Sequence, residues 1–319
     1  MPACLTCPDR ALPAPESLIL SCRLSPGDVL TLTAAVESLH ATYPGMYLTD
    51  VRTPCPDIWR NNPHITPMAD EAGRVLELHY PSIHQSNLAP HTFLAGYAAH
   101  LGELLGLPLA LTTNRPHVYL SPEERAAPPE AICSELAGHG RPFWLVSAGV
   151  KRDFTAKQWP VEWYQKVVDM LAGRVRFVQV GAAEHDHPRL QGTIDLRGKT
   201  TLRQLLRLAF AAHGGLGPVT FLQHAMAAAE KPYVALVGGR EPAAWVTYPK
   251  QATLHTVGQL DCCARGACWR SRVVALNDGQ SQDRSLCERP RREFTQPVAE
   301  CMARITPAEV AAVIARMMP

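Results

Sequence analysis

The stretch Ser17-Leu18-Ile19-Leu20-Ser21-Cys22, followed by the turn formers Ser25-Pro26-Gly27-Asp28, decides how the chain is read. A short apolar run closed by Pro and Gly is a strand entering a loop. From Val29 the apolar positions Leu32, Val36 and Leu39 recur near helical spacing until Tyr43-Pro44-Gly45 stops them, and Met46 to Val51 reads as a second strand. The unit is strand, helix, strand. Further along, Thr92 to Leu105 reads as a helix, and a Pro-rich stretch at 115–130 breaks the pattern. Alternation then resumes, with strands at Phe143 to Ser147, Val175 to Val180 and Tyr233 to Val237, and helices over Glu162 to Leu171, Leu202 to Ala212 and Phe221 to Ala229. Both halves therefore specify parallel sheets flanked by helices, an α/β protein whose ligands bind beyond the carboxyl ends of the strands.

At 319 residues the chain exceeds one ordinary core and fits two domains of roughly 150 residues with a cleft between them. An apolar fraction of 46% against 19% charged residues excludes a disordered chain, and a net charge of +2 gives no field for nucleic acid. No run approaches the roughly 18 apolar residues of a membrane span, and no leader-like start is present, so the expected location is the cytoplasm. Ten cysteines are many for a reducing compartment and point to metal or redox chemistry. Cys262, Cys263, Cys268, Cys287 and Cys301 cluster in a polar, loop-like segment. The spacing Cys263-x4-Cys268-x18-Cys287-x13-Cys301 supplies four thiolates for tetrahedral zinc or iron, with Cys262 as a substitute ligand; free thiols are the alternative. Cys4-x2-Cys7, near the start, reads as an idle pair.

Several motifs stand in order. Pro26-Gly27-Asp28-Val29-Leu30 opens the first helix. Phe154-Thr155-Ala156-Lys157-Gln158-Trp159-Pro160 follows a strand and a Gly149 turn. Thr220-Phe221-Leu222-Gln223-His224 leads an Ala-rich helix, and Gly238-Gly239-Arg240-Glu241-Pro242 follows a buried strand. In this order and spacing the chain resembles glycosyltransferase family 9, the ADP-heptose:heptosyltransferases, over about residues 18–250. It is also similar to the cysteine-containing branch that modifies autotransporters. Two departures stand out: Val219-Thr220-Phe221 replaces the usual Asp-Ser/Thr-Gly, and Gly238-Gly239-Arg240-Glu241 replaces Gly-Pro-Thr-Asp.

The resemblance implies a GT-B architecture. Its parts are an acceptor-side Rossmann-like domain at 1–135, a nucleotide-sugar-binding one at 136–258, a Cys-rich metal-binding segment at 259–303 and a C-terminal helix at 304–319, packed toward the N-terminal domain. It implies an inverting transfer of a sugar, heptose from ADP-heptose, to a hydroxyl on a saccharide, protein or small molecule, with no catalytic metal. Asp28 matches the family's base, whereas the residues alone favour a helix cap. Lys157 matches the diphosphate ligand, where the bland reading is solvated surface. Thr220 and the helix start after it offer a phosphate cradle or an ordinary cap. His224 is assigned to donor binding, against a packed structural histidine. Arg240 and Glu241 meet a ribose or sugar hydroxyl, or form a surface ion pair. Trp59 and Asn61, with Asn62, form a polar loop assigned to the acceptor. In the branch resembled, the four-cysteine site holds structural iron and is linked to homo-oligomer assembly. A sugar-nucleotide epimerase of the same architecture and a cysteine-metal redox sensor are the competing readings.

Overall fold

The structure, a computed structural model, describes residues 14–80, 87–88, 91–137 and 142–318; Cys4 and Cys7 lie outside the described residues. The opening unit is β1 (Glu16–Ser21), α1 (Pro26–Thr42) and β2 (Tyr47–Arg52), joined by β3 (Arg74–Glu77) into a parallel sheet of order β2-β1-β3. Leu18, Ile19 and Leu20 of the central strand are all buried, as expected of a parallel strand covered on both faces. Pro26 occupies the first turn of α1, where its missing N–H costs no hydrogen bond. Helix α1 is buried on nearly every side from Asp28 to Val36, because it lies between neighbouring helices from both halves of the chain. One of these is α2 (Phe93–Leu105), capped by Thr92 accepting from the Ala95 N–H at 3.2 Å. Two short helices follow, α3 (Pro122–Ala126) and α4 (Pro129–Ile132).

The second sheet is built from β4 (Phe143–Val146), α5 (Val161–Met170), β5 (Arg176–Gln179), β6 (Ile194–Asp195), α6 (Leu202–Ala211), β7 (Gly214–Pro218), α7 (Phe221–Ala228), β8 (Tyr233–Gly238), α8 (Ala243–Val246) and β9 (Gln251–His255). All six strands are parallel in the order β6-β5-β4-β7-β8-β9, so the winding reverses between β4 and β7. A doubly wound sheet opens a crevice at that reversal. Helix α7 packs on α1 and brings the crevice against the N-terminal sheet.

The remainder holds the short antiparallel pair β10 (Pro290–Arg291) and β11 (Val298–Ala299), then α9 (Pro307–Met317). The expectation that the last helix packs toward the N-terminal half is corrected. Its apolar face, Val310 and Ile314, packs against α5 and β8 of the second sheet. The indole N–H of Trp159 donates to the Ile305 carbonyl at 2.9 Å just before that helix. Another tie is Arg272, fully buried, whose guanidinium meets Asp153 at 3.0 Å, Asp278 at 2.8 Å and Asp283 at 2.5 Å.

Candidate active site

A cavity of about 790 Å³ lies at the carboxyl ends of both sheets, lined from the first by Asp28 and Tyr80 and from the second by Lys157, Thr220, Arg240 and Glu241. Asp28 occupies the third position of α1. Its Oδ2 accepts from the Ser25 N–H at 3.1 Å and from the Tyr80 hydroxyl at 2.8 Å. Capping and cleft-facing geometry are thus combined in one carboxylate. Burial pushes its pKa up to about 6, against the opposing pull of the Tyr80 hydroxyl and of Lys157.

Opposite stands a charge cluster. Lys157 ends the 3-10 segment Arg152–Lys157; its Nζ donates to the Val219 carbonyl at 3.0 Å and contacts Glu241 Oε1 at 2.8 Å. Arg240 binds the same oxygen at 2.6 Å, donates from Nε to the Arg270 carbonyl at 2.6 Å, and lies over the rings of Phe154 and Trp269. Burial works against a charge on Glu241, but Lys157 and Arg240 outweigh it and hold the carboxyl below the usual range. Two cations on one carboxylate leave the cluster net positive, suited to an anionic ligand. Thr220 precedes α7 without a side-chain cap to it, and Thr220, Phe221 and Leu222 at that helix start line the cavity.

His224 is a packed histidine as well as a cleft residue. Its Nδ1 pairs with the Tyr248 hydroxyl at 2.7 Å, while burial and then the Lys157 charge push its pKa down to about 3, so it is neutral. Its ring lies on Gly27, where an added Cβ would stand 3.1 Å from Cδ2. The acceptor-loop assignment does not fit the geometry. Trp59 is 4% exposed in the N-terminal core, and Asn61 turns its amide toward the Tyr119 carbonyl and Glu124; neither lines the cavity, whereas Pro54 and Cys55 do. Among the cavity residues that the sequence motifs do not name are Tyr80, Trp269 and Lys151, whose Nζ donates to Ser25 Oγ at 3.2 Å across the cleft. A second lysine between Gly149 and Lys157 was the available signal for Lys151.

Cys262, Cys268, Cys287 and Cys301 line one small pocket, and Cys263 lies beside it, its Sγ 3.0 Å from where a Cβ on pocket-lining Gly239 would stand and against the Thr256 carbonyl at 3.6 Å. Among the described residues, no group of three or more His, Cys, Asp or Glu side chains is gathered tightly enough to hold a metal ion.

Comparison with known proteins agrees with this layout. A sequence model of glycosyltransferase family 9 (heptosyltransferase) matches residues 82–267, more than half of the chain. The chain belongs to glycosyltransferase family 9. Among solved structures it is similar to the iron-containing dodecameric glycosyltransferase TibC of enterotoxigenic E. coli, at 17% identity and a TM-score of 0.62, covering 96% of this chain and 77% of that one. TibC in complex with ADP-D-beta-D-heptose aligns at 16% identity and a TM-score of 0.59, covering 96% and 76%. The E. coli ADP-heptose lps heptosyltransferase II aligns at 16% identity and a TM-score of 0.59, covering 94% and 98%. No curated protein matches in sequence. The family 9 chain is accordingly a glycosyltransferase with the GT-B fold. Among its described residues no helix is long and apolar enough to cross a membrane.

Proposed function

We propose that this enzyme transfers heptose from ADP-heptose to a hydroxyl acceptor with inversion at the anomeric carbon. The reading rests on one observation: a buried carboxylate with a raised pKa, Asp28, shares a cleft with the net-positive Lys157–Glu241–Arg240 cluster. Asp28 takes the acceptor proton as the acceptor oxygen bonds to the anomeric carbon. The bond from that carbon to the phosphate oxygen breaks, and its electron pair leaves with the nucleoside diphosphate. Lys157, the α7 start and Lys151, which contacts no carboxylate among the described residues, stabilise the departing charge. His224 contributes a neutral wall. Arg240 and Glu241 meet the donor's hydroxyls.

The same reading keeps an acceptor-side domain at 1–135, holding the three-stranded sheet, and a donor-side domain at 136–258, holding the six-stranded one. It assigns structural iron to Cys262, Cys268, Cys287 and Cys301, which line one pocket without being gathered to metal-binding distance; the support is the iron reported for TibC. When bound, the metal would cross-link the 259–303 segment. A cytoplasmic homo-oligomer completes the proposal, its support being the dodecameric TibC.

Incubation with ADP-heptose and an acceptor is expected to release ADP, followed by mass analysis, and Asp28→Asn is expected to lower the rate about a thousandfold. A wild-type rate in that variant removes Asp28 from the chemistry.

A further inference from the structure

The two donors to Asp28 converge on one oxygen. Ser25 N–H and the Tyr80 hydroxyl both end on Oδ2, at 3.1 Å and 2.8 Å, and Oδ1 has no hydrogen-bond partner among the described residues. An oxygen that accepts two hydrogen bonds is the less basic of the pair and is fixed in direction. We propose that Tyr80 is a positioning residue that holds Asp28 by Oδ2 and thereby assigns Oδ1 as the atom that takes the acceptor's proton. The assignment rests on Asp28 being the base.

The placement of Tyr80 supports it. Its ring stacks on Phe93 at the start of α2, with centroids 6.5 Å apart, and its side chain lines the cavity with 43% of the residue still exposed. Phe93 in turn stacks on Trp245 at 5.0 Å, so the phenol is braced from the second half of the molecule as well. Burial and the Asp28 charge raise the phenol's pKa, which keeps Tyr80 a proton donor throughout the working range. It donates a hydrogen bond and retains its proton. In the reaction the acceptor O–H proton passes to Oδ1, the acceptor oxygen bonds to the anomeric carbon, and the nucleoside diphosphate carries away the electron pair of the broken bond.

Titratable groups face Asp28 from several elements. Lys151 and Lys157 reach it from the loop after β4, while Tyr97 of α2, Cys22 just after β1, Tyr248 after α8 and His224 of α7 face it uncharged. None of these replaces a direct hydrogen bond to Oδ2.

The test compares Tyr80→Phe with Asp28→Asn in the full-length enzyme, using ADP-heptose and recording kcat/KM against pH with folding checked by circular dichroism. Tyr80→Phe keeps the ring stack and removes only the donor. It is expected to lower kcat about tenfold, to move the acid limb of kcat/KM up by about one pH unit, and to leave the donor KM within about twofold. Should Asp28→Asn be inactive while Tyr80→Phe keeps a wild-type kcat or an unmoved acid limb, the assignment of Tyr80 is overturned and the base reading stands. Should Asp28→Asn keep its rate, the base reading itself falls, and the Tyr80 assignment with it.

Discussion

Asp28 is asked to be ionised in a place that disfavours its charge, and the cost is measurable apart from catalysis. Its pKa in the folded chain, about 6, lies above the ordinary 3.8, so the ionised carboxylate destabilises the fold. The penalty is complete above about pH 6, shrinks as the pH falls, and vanishes below about pH 4, where both states are protonated. Asp28→Asn removes the charge while its amide oxygen can still accept from Ser25 and Tyr80. The variant is expected to be more stable than wild type at pH 8, by on the order of 3 kcal/mol, with the gap closing toward pH 4 in urea melts. Equal midpoints at pH 8 would count against a buried, charged Asp28. The sequence motifs named Asp28, Lys157, Arg240 and Glu241, which do share one cavity. They could not name Tyr80, because a contact across 52 positions leaves no local pattern. Trp59 was misread for a related reason: its polar neighbours marked a loop, yet the indole itself fills the core.

At the level of elements, apolar runs made β1, β2, β4, β5 and β8 legible, and apolar positions at helical spacing marked α1. Strand β7 was not, because Gly214, Gly215 and Gly217 supply no apolar side chains to read. The structure explains the glycines by their neighbours. A Cβ at Gly214 would lie 2.4 Å from Cε2 of Trp144 on β4, and one at Gly215 would lie 2.8 Å from Cδ2 of Tyr233 on β8. Two large rings occupy the volume that strand side chains would take, so the pattern moved to adjacent strands. Gly214→Ala must push Trp144 out of a packed layer and is expected to cost about 2 kcal/mol, read as a lower urea midpoint. An unchanged midpoint would mean that the ring has room to shift. Because β7 lies beside the winding reversal and leads to Thr220, its displacement reaches the cleft through the start of α7.

Across the whole molecule, the cysteine segment does more than close a loop, because residues 268–273 brace Arg240 and the segment that carries Lys157. Cys268 and Trp269 donate their N–H groups to the carbonyls of Gly239 at 3.1 Å and Arg240 at 3.0 Å, and the Arg270 carbonyl accepts from Arg240. Ser271 accepts from the Ala156 N–H at 3.0 Å, and the Val273 N–H donates to Thr155 Oγ1 at 2.9 Å, next to Lys157. On the far side the Asn87 side chain pairs with both backbone groups of Ala267, at 2.8 Å and 3.0 Å, tying the segment to the N-terminal half. Trp269 is held at a φ of 54°, which a bulky residue adopts only when its surroundings impose it. A cross-link among Cys262, Cys268, Cys287 and Cys301 would therefore set the positions of Arg240 and Lys157 without touching substrate. Replacing Cys268 and Cys287 together by Ser is expected to abolish iron retention, measured by elemental analysis, and to raise the donor KM about tenfold. The acid limb of kcat/KM should stay where it is, since no thiol touches Asp28 Oδ2. Loss of iron with an unchanged donor KM would separate the segment from the donor site. A shifted acid limb would show that the brace extends to the base.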